Sequence, residues 1–131
     1  MKAKKIDHIG IVVRDLSIAV ATYERNFGFK TDPSRGGKLP ALGIQNAFVP
    51  VGDVDLEFIQ ATGAEGPVAK FAQERGEGTF MLSIEVDDLN ASIDHLRSLG
   101  ARVGDASPGG VAFVSMKSTH GVNLQLVQRN Q

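Results

Sequence analysis

The 131-residue sequence predicts an α+β fold made of two βαβββ modules in tandem, joined into a cupped mixed sheet. Three observations carry that prediction. The segment Ile6-Asp7-His8-Ile9-Gly10-Ile11-Val12-Val13, followed by Asp15-Leu16, recurs as Thr79-Phe80-Met81-Leu82-Ser83-Ile84-Glu85-Val86, followed by Asp88-Leu89, at an offset of 81 − 8 = 73 residues. Leu56-Glu57-Phe58-Ile59-Gln60 returns as Leu124-Gln125-Leu126-Val127-Gln128, offset 124 − 56 = 68. The apolar stripe Leu16, Val20, Tyr23 and Phe27 maps onto Leu89, Ile93, Leu96 and Gly100, so the helical period survives where identities do not. One domain over residues 1–131 is expected, with modules at about 5–62 and 78–129.

Residues 5–13 read as a strand, and Asp15 or Ser17 can cap a helix that Gly28 ends. Pro33, Gly36, Gly37 and Pro40 mark a loop between Thr31 and Gly43. Strands at 45–51 and 54–60 flank Gly52-Asp53, a hairpin signal. Pro67 to Arg75 reads as a short helix or turn. The second half repeats the plan with a strand at 79–86 and an Asp88-capped helix to Leu99, stopped by Gly100. Shorter strands follow near 101–103, 111–116 and 121–128.

Strand alternation sorts the side chains. Phe80, Leu82, Ile84 and Val86, and in the first half Ile9, Ile11 and Val13, form the natural helix-bearing faces. The opposite faces carry His8, Gly10 and Val12; Asp55, Glu57 and Ile59; Met81 and Ser83; and Asn123, Gln125 and Val127. So many polar and small residues on one face suit a ligand cavity.

Composition narrows the function classes. A net charge of −1, from 14 basic and 15 acidic side chains, and 6% aromatics show neither a nucleic-acid footprint nor a membrane-binding face. Cysteine is absent, which removes disulfides, thiolate ligands and a cysteine nucleophile. Asp7 and Arg14 interrupt any signal-peptide core after Met1-Lys2-Ala3-Lys4-Lys5. The expected setting is soluble and cytoplasmic, with a small molecule as partner.

Asp7-His8-Ile9-Gly10-Ile11-Val12-Val13 leading into Asp15-Leu16, and Glu85-Val86-Asp87-Asp88-Leu89, resemble the vicinal oxygen chelate superfamily, whose members share the glyoxalase-like fold. Phe48-Val49-Pro50-Val51-Gly52, Gly76-Glu77-Gly78 and Lys117-Ser118-Thr119-His120-Gly121-Val122 are similar to segments of its methylmalonyl-CoA epimerase branch. The resemblance implies a divalent metal (Zn, Co, Ni, Mn or Fe), held at the positions of His8, Glu57, Met81 and Gln125, and a homodimer. The family usually has His where Met81 stands and Glu where Gln125 stands; a thioether and a neutral amide are poor substitutes toward such ions. The epimerase branch also has a glutamate shortly before the third strand, which here falls near Ala41-Leu42.

Two mechanisms follow from the resemblance. In one, His8, Glu57 and Gln125 hold a metal that acts as a Lewis acid. In the other, Glu57 is a base, His8 an acid and Gln125 a donor to an enolate oxygen, giving isomerase, epimerase or lyase chemistry on a carboxylate or acyl thioester. Met81, Ser83 and Asn123 line the pocket in either case. A metal-free binding protein of the bleomycin-resistance type is the alternative. Arg35 and Lys38 are solvated loop residues or a lid gripping an anion, His120 is a turn residue, and His95 is solvent-exposed.

Overall fold

The computed structural model describes residues 1–129. Among them are seven strands, β1 (Ala3–Val12), β2 (Gly37–Leu39), β3 (Ile44–Val51), β4 (Val54–Ala61), β5 (Gly78–Val86), β6 (Val111–Val114) and β7 (Leu124–Val127). Three α-helices accompany them, α1 (Leu16–Phe27), α2 (Pro67–Arg75) and α3 (Leu89–Ser98). The strands form one mixed sheet in the order β2-β3-β4-β1-β5-β7-β6. β5 and β7 run parallel, while β2 with β3, β3 with β4 and β6 with β7 are antiparallel. The α+β class, the glyoxalase-like sheet and the doubled plan are therefore present.

The chain divides into two compact units, one of residues 9–80 and one of residues 1–8 with those from 81 onward. In the first unit α1 lays Leu16, Ala19, Val20 and Tyr23 on Ile11, Val13, Val49, Leu56 and Phe58. Asp15 starts this helix by accepting from the Ile18 amide at 3.0 Å, and Gly28 ends it in the left-handed region at φ 71°. In the second unit α3 sets Leu89, Ile93 and Leu96 on Ile84, Val86, Ala112, Val114, Leu124 and Leu126. Asp88 caps it through the Ala91 amide at 2.9 Å.

The second sequence echo has a structural cause. Gln60 Oε1 accepts from the Leu16 amide at 2.8 Å, and Gln128 Oε1 accepts from the Leu89 amide at 2.7 Å. Each glutamine thus satisfies an orphan N–H at the first turn of its own module's helix. Gln60→Ala and Gln128→Ala are each expected to cost about 1 kcal/mol, read as a lower urea midpoint at unchanged m-value.

Several sequence expectations are corrected. Val12 and Ile59, assigned to the cavity face, instead form a second core with Val68, Phe71 and Ala72 of α2. Phe80, assigned to a helix-bearing face with Leu82, joins that core and meets Phe71 edge-on at 5.3 Å. α2 shields this patch, which strand alternation cannot foresee. The loop read over residues 31–43 contains β2, because Gly36 brings the backbone against β3. A Cβ built on Gly36 would lie 2.7 Å from the Asn46 carbonyl oxygen, and its φ is +89°. The strand near 101–103 reduces to a single bridge, Val103 to Val114. Those at 111–116 and 121–128 are shorter because Met116–Ser118 is a 3-10 turn and His120, at φ 57°, turns the chain toward Gly121.

Candidate functional site

The second unit holds His8, Met81, Ser83, Asn123 and Gln125. Ser83 and Gln125 are directly opposite in the parallel β5/β7 register, and alternation puts both on the face away from α3. They are buried, and the Ser83 hydroxyl donates to Gln125 Oε1 at 2.8 Å. That bond orients the amide and leaves its N–H groups as donors. Met81 lies on the same strand face, 7% exposed, and Asn123 is half-buried with its carbonyl oxygen accepting from the Leu82 amide at 3.0 Å.

His8 sits on β1, 6% exposed, with Nδ1 2.7 Å from Asp7 Oδ2. Asp7 is buried as well, and Arg129 donates to its Oδ1 from Nε at 3.1 Å and to its Oδ2 from Nη2 at 2.6 Å. Burial alone would raise the Asp7 carboxyl, but the Arg129 and His8 hydrogen bonds outweigh it and hold the group below its ordinary value.

The first unit holds Glu57 in the middle of β4, 8% exposed. Asn46, across the ladder on β3, donates from Nδ2 to Glu57 Oε2 at 2.8 Å. Its own Oδ1 is buried with no hydrogen-bond partner among the described residues. The loop before β2 folds onto this strand pair. Arg35 grips Asp55 through two bonds at 2.7 and 2.9 Å and Asp32 through one at 2.8 Å, with its guanidinium 4.9 Å from the Phe48 ring centroid. The lid reading of Arg35 is therefore corrected, since two carboxylates and an aromatic face occupy the cation. Lys38, on β2, and His95, on α3, are exposed.

Ser34 bonds and the Arg35 guanidinium lower the Asp32 carboxyl from 3.8 to about 2. A depressed carboxyl contributes stability above its unfolded value and loses it as pH falls through its folded value. The loop is accordingly expected to stay pinned above pH 3.8 and to loosen as pH drops toward 2. Amide exchange of residues 32–37 measured across that range checks this.

Sequence reasoning missed Asp7, Asn46 and Arg129. Asp7 stood beside His8 in the repeated motif, and Asn46 broke an apolar strand with a buried amide. Arg129 gave no signal.

The donor chemistry does not fit a protein cage for a divalent ion. Of the four positions the resemblance assigns, only His8 and Glu57 are strong ligands; Met81 offers a thioether and Gln125 an amide already bonded to Ser83. Within the second unit His8 is an imidazole and Gln125 an oriented amide donor, and within the first Glu57 is a buried carboxylate; each is a residue type that proton-transfer chemistry uses.

Comparison with known proteins agrees with this architecture. Methylmalonyl-CoA epimerase of Homo sapiens mitochondria is 32% identical over 131 residues, covering 95% of this chain and 73% of that protein. The crystal structure of the Mycobacterium tuberculosis methylmalonyl-CoA epimerase superposes with a TM-score of 0.86 at 26% identity, over 98% of this chain and 90% of that one. A Streptomyces coelicolor methylmalonyl-CoA epimerase variant, in complex with 2-nitronate-propionyl-CoA, gives 0.88 at 25% identity over 99% and 100%. A family model matches residues 7–117, and with its sheet order and doubled modules the chain belongs to the Glyoxalase/Bleomycin resistance protein/Dioxygenase superfamily.

Proposed function

We propose that the protein catalyses proton transfer at the carbon next to a carbonyl, as an epimerase or isomerase acting on a small acyl thioester or carboxylate. The observation that carries this reading is Glu57, a buried carboxylate held by Asn46 at 2.8 Å in a chain related to methylmalonyl-CoA epimerases. Glu57 takes the α-proton, and the electron pair of the broken C–H bond moves onto the carbonyl oxygen as an enolate. An N–H of Gln125 donates to that oxygen, which an ionised glutamate at this position could not do. Reprotonation by Glu57 returns the original configuration; reprotonation from Nε2 of an imidazolium His8 is the route to inversion, and it leaves Glu57 protonated and His8 neutral until both exchange protons with solvent.

Methylmalonyl-CoA in deuterated water is the test substrate. Deuterium entering the α-position, followed by NMR, supports the reading. Binding of the thioester with no exchange would instead assign the chain to the sequestering members of its superfamily. The assay run in chelator separates the two mechanisms: exchange that survives is the metal-free route, while exchange lost on chelation and restored by one divalent ion would establish the Lewis-acid route.

A further inference from the structure

We propose that Asp7 and Arg129 are positioning residues for His8 and together fix its imidazole in a single tautomer. His8 Nδ1 lies 2.7 Å from Asp7 Oδ2. An ionised carboxylate has no proton to give, so the proton in that bond belongs to Nδ1, and in the neutral ring the accepting lone pair belongs to Nε2. Neighbours along a strand ordinarily point to opposite faces, so this contact requires the Asp7 carboxylate to be turned and held.

Arg129 does the holding. Its Nε and Nη2 donate to separate Asp7 oxygens at 3.1 and 2.6 Å, a two-bond grip that a lysine cannot reproduce. Asp7 is 9% exposed, and a carboxylate that deeply placed stays ionised only with such a partner. Arg129 follows β7, the strand that carries Gln125, so the end of the second module determines which nitrogen of His8 accepts a proton. The catalytic consequence rests on the proposed function, whereas the tautomer is a property of the free protein.

Long-range proton–nitrogen NMR on histidine-labelled protein tests it, at a pH about two units above the ordinary imidazole value of roughly 6.5. His95→Gln and His120→Gln assign the His8 signals. Wild type is expected to show protonated Nδ1 and bare Nε2. In Asp7→Asn the amide can donate to Nδ1, and the proton is expected to move to Nε2 in most molecules. A wild-type His8 protonated at Nε2, or an Asp7→Asn pattern identical to wild type, would overturn the proposal. The wild-type spectrum decides the tautomer even where the variant does not fold. Asp7→Asn is further expected to lower kcat for α-proton exchange about 10–100-fold with little change in KM. A wild type with the expected tautomer and no exchange would refute the proposed function while upholding the positioning role.

Discussion

Glu57→Gln is expected to lower α-proton exchange into methylmalonyl-CoA by about 10²–10⁴-fold, the usual contribution of a positioned general base. The substitution is nearly isosteric, and the new amide oxygen can still accept from Asn46 Nδ2, so the melting temperature should move little. Loss of rate at unchanged stability would separate chemistry from folding. Glu57→Asp sharpens the comparison, because it keeps the carboxylate but withdraws it by one methylene; an intermediate loss is expected if placement matters. Exchange within about threefold of wild type in Glu57→Gln would remove Glu57 as the base, whatever the other residues do.

The contrast between Glu57 and Gln125 shows how much of the molecule was legible in the sequence. Their equivalence follows from the 68-residue echo alone, and the sheet places them on corresponding strands, β4 and β7. The helices were legible for the same reason: Asp15 and Asp88 recur at one offset, and each caps its helix. The echo also repeats Gln60 and Gln128, whose helix-capping role lies in side-chain contacts to the Leu16 and Leu89 amides that no sequence pattern encodes. Position on a strand fixes a face but not a partner. Ser83 oriented toward Gln125, Asn46 toward Glu57 and Arg35 toward Asp55 are contacts between strands and loops that no local pattern encodes. Val12 and Ile59 were misplaced because α2, a nine-residue helix with a Pro start, covers a patch that alternation alone leaves open.

Phe58→Ala is expected to destabilise the protein by about 3–5 kcal/mol, the range for deleting a buried aromatic side chain. Phe58 is fully buried, beside Val13 and Val49 and under α1, with its ring centroid 4.7 Å from that of Tyr23. Tyr23 in turn lies 5.3 Å from Phe27 and 6.5 Å from Phe29, so the cavity opens at the base of an aromatic cluster. α1 has no fully buried residue of its own and holds the sheet through half-buried side chains. Its attachment therefore depends on what β4 presents to it. Thermal and urea melts should both register the loss, with a fall in Tm on the order of 10 °C. Leu126→Ala, at the equivalent position of the other unit, removes a smaller side chain from beneath α3 and is expected to cost about 2–5 kcal/mol. A Phe58→Ala cost below about 1 kcal/mol would mean that α1 is not held by this contact. The side chain next to Glu57 would then have no measurable part in keeping β4 in place.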